Sequence, residues 1–413
     1  ITNNITHIEK FDYSILNNSQ PFTLIKIDTK ENNCDVLTKL EDYLKENKSD
    51  VLLKVSKLTN CFDVLNRNDY VIYDVSPFDN TTDCTGPLSK EEFEYYSKKV
   101  CTTNFLCVHK TNIDKYNLPK IVKNKTCVIT CGRNDGYKEN ERFLIHINKM
   151  LETFDEMIYV DWNSDKQSAL YEIKDQLPKT QKIKHFVIEP SIAKILTGND
   201  EKVSSCCGVL ALNLALRRTD AEYVVMTAVD ILPPSKKLLN DFIKTTNKNS
   251  FYTLSRRDID YDDVLKNKNN LNEYIEYLNK TSKPRYFPAK VTPNDNYSIF
   301  NCPGDFQFAH KNVWLKVKGY EEQMMYACYV DTNVQKKSVL YGFDLVPIYD
   351  IPLYHMSHKG MSNDGTSPSK KYFNDPMEWV EYFNICNLYD QYTISKNEQN
   401  WGFSDIDIEY ELI

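Results

Sequence analysis

The sequence predicts an α/β fold: a mostly parallel sheet of the doubly wound, Rossmann-like kind, preceded by a smaller α/β domain. Three observations carry the prediction. From Thr126 onward, apolar runs of strand length alternate with stretches whose apolar residues recur at helical spacing. Polar residues collect where successive predicted strands stop, at Arg133 to Asp135, at Asp161 and at Asp230. Finally, the β-branched run that starts at Tyr223 ends on the single carboxylate Asp230 and is closed by Pro233 and Pro234. In such sheets ligands bind outside the carboxyl ends of the strands. A carboxylate placed there is costly to bury unless something pairs with it.

Taken in order, residues 22–27 read as a strand, and residues 34–45 as a helix with Val36, Leu37, Leu40 and Leu44 on one face. Residues 51–55, 70–75 and 105–108 read as further strands, and residues 79–87 as a loop. This first part, residues 1–120, contains no nucleotide fingerprint and no catalytic constellation. A break follows at Pro119-Lys120. The second part, residues 121–366, opens with a buried strand over 126–131 and the polar turn Gly132 to Gly136. A helix over 141–154 follows, with Phe143, Leu144, Ile147, Met150 and Leu151 at helical spacing. Strands over 157–160 and 184–188 come next, then a helix over 206–217 that leads into the Tyr223 strand. Parallel strands joined this way require right-handed crossovers. The charged stretch 253–296, with a helix over 271–278, reads as a surface insertion or acceptor loop. The tail 367–413 is aromatic and acidic, and its Asn400-Trp401-Gly402-Phe403 is expected to pack back on the second domain.

Composition removes several classes. The chain has 413 residues, 41% hydrophobic and 26% charged, which is globular rather than disordered. With a net charge of -7 there is no basic excess to meet phosphates along a strand, so nucleic acid is not an expected partner. The richness in Asn, Lys, Ile, Asp and Tyr fits AT-rich codon usage. No apolar run is long enough for a transmembrane segment, and no signal peptide is visible. The expected setting is the cytoplasm, or the Golgi lumen if an N-terminal anchor precedes Ile1. The twelve cysteines form no CxxC pairs, and reduced, mostly buried thiols are expected.

Three ordered blocks carry a family resemblance. The first is Leu212-Asn213 followed by Ala228-Val229-Asp230-Ile231-Leu232-Pro233. The second is Gly319-Tyr320-Glu321-Glu322 with Val330-Asp331, and the third is His355-Met356-Ser357-His358. In this order the blocks resemble those of GT-A nucleotide-sugar glycosyltransferases, within them the β-1,4-galactosyltransferase and chondroitin-polymerase-like group. That group carries a strand ending Asp-Val-Asp, a Gly-Tyr/Phe-Asp-Glu turn, an acidic Glu-Asp pair and a late Met-x-x-His segment. The resemblance spans roughly residues 121–365. It departs at Ala228, which replaces the first acid of Asp-x-Asp, and at Val330, which replaces the first acid of Glu-Asp. Residues 1–120 have no counterpart in it.

The resemblance implies a GT-A domain that moves a sugar from a UDP-sugar to a hydroxyl of a glycan or glycoconjugate acceptor, with inversion. It implies Mn²⁺ or Mg²⁺ as cofactor, held by Asp230, His355 and His358, since a divalent cation stabilises the charge developing on a diphosphate leaving group. Asp331 is by position the base for the acceptor hydroxyl, with Glu322 and Asp305 as rivals. Asp305, in a Pro-Gly-Asp-Phe turn, is assigned to donor hydroxyls. Arg133, Asp135, Asp161, Ala228 and Trp314 complete the nucleotide-sugar set: Arg133 as a fork for diphosphate, Asp161 for uracil or ribose, Trp314 as a stacking platform. The plain alternatives are strand-end turns for Asp161 and Asp230, a helix cap for Asp331 and core packing for Trp314. A non-catalytic carbohydrate- or nucleotide-binding relative is the competing function. A third, less expected reading, a nucleotidyltransferase, would need a glycine-rich phosphate loop and a further acid, and the sequence shows neither.

Overall fold

A computed structural model describes residues 23–28, 33–54, 61–75, 84–99, 104–116, 118–134, 140–180, 182–200, 203, 206–282, 304–326, 328–357, 374–388 and 394–413. The chain divides into two compact units, residues 1–121 and 122–413.

The first unit holds a four-stranded sheet of β1 (Leu24–Ile27), β2 (Asp50–Lys54), β3 (Tyr70–Asp74) and β4 (Asn104–His109), in the order β1-β2-β4-β3. β1 and β2 are parallel, and β4 runs antiparallel to both of its neighbours. The periodic stretch expected as one helix over 34–45 is two, Asn33–Lys39 and Glu41–Asn47, broken at Leu40. Leu37, Leu40 and Leu44 are all buried, so the apolar face survives the break. Buried Asp50 accepts from the His109 N–H, the Asn112 amide and the Tyr116 hydroxyl, which ties the start of β2 to the end of β4. A buried carboxylate with this many donors is a structural anchor.

Among the described residues the second unit holds nine strands. They are β5 (Val122–Gly132), β6 (Glu156–Trp162), β7 (Ile183–Ile188), β8 (Ala221–Thr227), β9 (Ile231–Leu232), β10 (Ser250–Asp260), β11 (Phe306–His310), β12 (Asp344–Ser357) and β13 (Glu411–Leu412). Their order is β13-β7-β6-β5-β8-β11-β10-β12-β9. The run β7-β6-β5-β8 is parallel throughout, which is the 3-2-1-4 order of a nucleotide-binding half-sheet with its switch point between β5 and β8. The expected Rossmann-like sheet is therefore present. β11 returns antiparallel between β8 and β10, and β10 pairs in parallel with β12. β6 and β8 are buried along their whole length, as strands covered on both faces must be. The helix Asn140–Thr153 lays Phe143, Ile147, Met150 and Leu151 on this sheet beside Tyr159 and Val225.

One expectation fails here. The stretch read as a charged surface loop from Thr253 begins as an interior strand, because β10 continues to Asp260; residues 283–296 of that stretch lie outside the described residues. Described residues of the tail are hydrogen-bonded to earlier parts of the second unit. The Asn397 amide donates to the carbonyls of Lys318 and Tyr320, and Arg218 donates to those of Gly402, Phe403 and Ile406. Trp401 is buried there, and β13 extends the sheet beside β7. Beneath the tail, Lys337 and Glu321 form a fully buried ion pair at 2.6 Å, with the Ser395 hydroxyl donating to the same carboxylate.

Candidate active site

Past Thr227 the chain leaves β8, turns through Ala228, Val229 and Asp230, and enters the short β9. β9 pairs antiparallel with the end of β12, setting Ile231 opposite His355, and the Met356 N–H donates to the Asp230 carbonyl at 2.9 Å. This register fixes the two side chains together: His355 Nε2 stands 3.2 Å from Asp230 Oδ2. On the other side of β12, β10 sets Asp258 opposite His355. Register shifts between Leu254 and Arg256, and residues two apart on a strand share a face, so Arg256 and Asp258 both project toward the histidine.

The result is a connected polar network. Arg256 donates through Nε to Asp258 at 2.7 Å, and through Nη1 to Asp305 Oδ2 at 3.2 Å. Its Nη2 lies 3.0 Å from His355 Nδ1, and that same ring nitrogen lies 3.2 Å from Asp258 Oδ1. Three carboxylates, Asp230, Asp258 and Asp305, thus gather around one guanidinium and one imidazole. Burial raises the pKa of Asp305, the charge of Arg256 opposes the rise, and Asp230 adds to it.

Asp305 leads into Asp331. The Thr227 hydroxyl donates to the Asp305 carbonyl, and Gln307 donates to the Asp331 carbonyl at 3.1 Å. Asp331 opens the helix Val330–Leu340, and its Oδ1 accepts from the Thr332 N–H at 2.9 Å. That bond and the helix N-terminus favour the charged carboxylate. Burial outweighs them and, with the charge of Asp305, pushes the pKa up to about 6. Asp331 is half-buried and lines a cavity of about 370 Å³. Val209, Leu212, Tyr320, Met324 and Tyr326 line that cavity together with Asp305 and Asp331. Gly304 makes the approach possible: a Cβ there would stand 2.6 Å from the Asp331 Cβ.

The remaining predicted residues fall in three groups. Asp135 and His358 lie outside the described residues. Asp161 lies near the end of β6 and Arg133 follows β5, whose last residue, Gly132, approaches Val229 of the Asp230 turn. Asp161 is fully buried, and burial raises its pKa against the Ser164 and Ser168 hydroxyls. Arg133 is paired with Asp165. Ala228 is exposed in the turn where the expected pattern carries an acid.

Two residues do other work. Trp314, expected as a stacking platform, is completely buried against Phe251 and Tyr320, and its indole N–H donates to the Val224 carbonyl. It is a core residue. Glu322 accepts from the Asn213 amide at 3.1 Å and from the Gly402 N–H at 2.7 Å, which makes it an anchor for the tail. Arg256 and Asp258 were not legible as site residues, because the charged end of β10 has the composition of a loop. The signal was the apolar run Phe251, Tyr252 and Leu254 just before it.

Among the described residues no three His, Cys, Asp or Glu side chains form a metal-holding group. Two donors do converge. In an octahedral complex with ligands at about 2.1 Å, neighbouring ligand atoms are ~3.0 Å apart. The Asp230–His355 separation of 3.2 Å suits such a neighbouring pair. A cation of the Mg²⁺ type is commonly bound by one or two protein groups plus substrate phosphates. The donor set therefore fits a cation that arrives with a diphosphate.

No protein-family model matches the chain, and no curated protein matches it. Among solved structures it is similar to S. aureus TarS, at 15% identity over 67% of this chain and 41% of that one, with a TM-score of 0.40. The mannosyltransferase PcManGT from Pyrobaculum calidifontis, in complex with GDP-Man and Mn²⁺, is 13% identical over 70% of this chain and 75% of that one, with a TM-score of 0.38. GalNAc-T7 with UDP, GalNAc and Mn²⁺ is 8% identical over 69% of this chain and 57% of that one, with a TM-score of 0.39. The chain thus spans less than half of TarS. What defines the class of protein is its own topology: a doubly wound sheet with an acid–histidine cluster beside the switch point.

Proposed function

We propose that the second unit is a GT-A glycosyltransferase that moves a sugar from a UDP-sugar to a hydroxyl of a glycan or glycoconjugate, with inversion. The observation that carries the reading is the continuous line from Asp230 and His355, through Asp305, to the cavity-lining Asp331 at the carboxyl ends of the parallel strands. In this reading Asp230 and His355 hold Mn²⁺ or Mg²⁺, with His358 as a further ligand, and the bound cation offsets charge developing on the departing diphosphate. Arg133 reaches the diphosphate from the end of β5, whereas Asp161, expected to contact the nucleoside, is fully buried and takes no part. Asp305 meets donor hydroxyls, its position fixed by Arg256 and by the turn at Gly304. An acceptor hydroxyl entering the cavity meets Asp331, whose raised pKa suits a base that must take up a proton near neutrality. The acceptor oxygen then attacks the sugar carbon as the diphosphate leaves, and its proton passes to the Asp331 carboxylate.

Ala228 favours a second reading, a non-catalytic nucleotide- or glycan-binding relative, because the turn offers a methyl group where an acid would contact ribose or sugar. Calorimetric titration of UDP with and without Mn²⁺, followed by a UDP-sugar panel, separates the two. Mn²⁺-dependent UDP binding with sugar transfer or hydrolysis is expected. Binding without any turnover favours the second reading in its nucleotide-binding form, and no UDP binding refutes the first.

A further inference from the structure

The cavity of about 370 Å³ at Asp331 sets two carboxylates in a lining that is mostly apolar. Val209 and Leu212 line it from the helix Gly208–Arg218, and Met324 and Met325 from the segment ahead of the helix Val330–Leu340. Met324 and Val330 pack in one apolar cluster with Trp379 and Phe383, so this wall is backed by further apolar side chains. The two tyrosines of the lining have their hydroxyls engaged: Tyr320 donates to Gln307 Oε1, and Tyr326 donates to Asp200 Oδ2 at 2.9 Å. Beside them stand the thiols of Cys206 and Cys328, which hydrogen-bond only weakly. Among the described residues, Asp305 and Asp331 are thus the strongly hydrogen-bonding side chains that a ligand meets in this cavity. A sugar ring would bring several hydroxyls to it, and each one stripped of water without a partner weakens binding by about tenfold. An alcohol on an apolar body brings one, and the burial of its body is favourable. A cavity of roughly 150 Å³ holds a benzene ring, so the space here takes about two rings, and unbranched methionines adapt to their shape.

We propose that the acceptor is a compact apolar alcohol, with its hydroxyl at Asp331 and its aromatic or aliphatic body against Leu212, Met324, Met325 and Val330. The inference rests on the glycosyltransferase reading above and narrows its acceptor to the apolar, aglycone end of a glycoconjugate. In the transfer, the bond from sugar C1 to the diphosphate oxygen breaks as the bond from C1 to the alcohol oxygen forms. UDP leaves with the bonding pair, and the alcohol proton passes to the Asp331 carboxylate. The products are UDP and the glycoside of an apolar alcohol. With the alcohol in place, its body fills the space from which water would otherwise compete for C1.

The test has two arms, both on the whole chain. In the first, without donor or metal, the protein is alkylated with N-ethylmaleimide in the presence of 2-phenylethanol, hexanol or methyl glycosides. The alcohols are expected to slow alkylation of the cavity thiols Cys206 and Cys328 several-fold, while Cys84 in the first unit reacts at an unchanged rate. Methyl glycosides should protect neither cavity thiol. The stronger of the two alcohols tells an aromatic carrier from an aliphatic one. In the second arm, with Mn²⁺ and a UDP-sugar panel, transfer to the alcohols is expected to exceed transfer to methyl glycosides by about tenfold or more. Leu212→Gln and Met325→Gln change half-buried wall positions. Each should raise KM for the alcohol by about tenfold or more and leave UDP affinity unchanged. Alkylation rates that the alcohols leave unaltered, or transfer that favours methyl glycosides with KM untouched by the two substitutions, overturn the proposal. Should the parent bind no UDP, the glycosyltransferase reading fails instead. The alkylation arm still decides whether the cavity takes an apolar alcohol.

Discussion

Replacing Asp331 by Asn separates what this carboxyl costs the fold from what it contributes to function. Its pKa rises from 3.8 to about 6, driven first by burial and then by the neighbouring charge of Asp305. At 1.36 kcal/mol for each tenfold change, the difference corresponds to at most about 3 kcal/mol. The sign follows from proton binding. Between pH 4 and pH 6 the folded state holds a proton that the unfolded state has released, so stability falls as pH rises through this window and is level above it. Asn cannot ionise and keeps an oxygen to accept from the Thr332 N–H. Asp331→Asn is therefore expected to leave stability unchanged near pH 4 and to raise it by about 1–3 kcal/mol at pH 8. Urea unfolding of both proteins at pH 4, 6 and 8 measures this directly. The same substitution should preserve UDP affinity and suppress transfer, and transfer by the parent should rise with pH through about 6 as the base ionises. Parallel pH–stability curves for the two proteins would refute the burial argument. Unimpaired transfer would remove Asp331 as the base.

Gly304→Ala places a methyl group 2.6 Å from the Asp331 Cβ, so the two segments must part. Transfer is expected to fall at least tenfold, with a smaller effect on UDP binding, read by comparing kcat with UDP affinity. Lys337→Met leaves the Glu321 carboxylate buried without its cation. The expected loss is about 3–5 kcal/mol, accompanied by earlier proteolysis of the tail that Ser395 and Asn397 tie down. Equal protease sensitivity of parent and variant would contradict that anchoring role.

The site was legible in the sequence where chemistry follows strand ends. Asp230 stands out in the sequence as the carboxylate that ends an apolar strand run, His355 enters only through the family resemblance, and β9 does bring them to 3.2 Å. Asp331 is assigned by its place in the resemblance and Asp305 by its glycine-containing turn, and both line the same cavity. Trp314 misled because an aromatic residue near a motif looks the same whether it stacks on a sugar or on Phe251. Glu322 misled for a related reason: its partner Gly402 is 80 residues away.

By itself the sequence determined the alternation of buried strands and amphipathic helices, because side-chain periodicity is a local property that burial reads directly. It determined as well that carboxylates stand at the carboxyl ends of those strands. Only the tertiary structure decided which of them meet. The antiparallel return of β11 and the parallel pairing of β10 with β12 are long-range choices that no local pattern encodes. Through them Arg256 and Asp258, in a stretch with the composition of a loop, come to face His355 from 99 and 97 residues away.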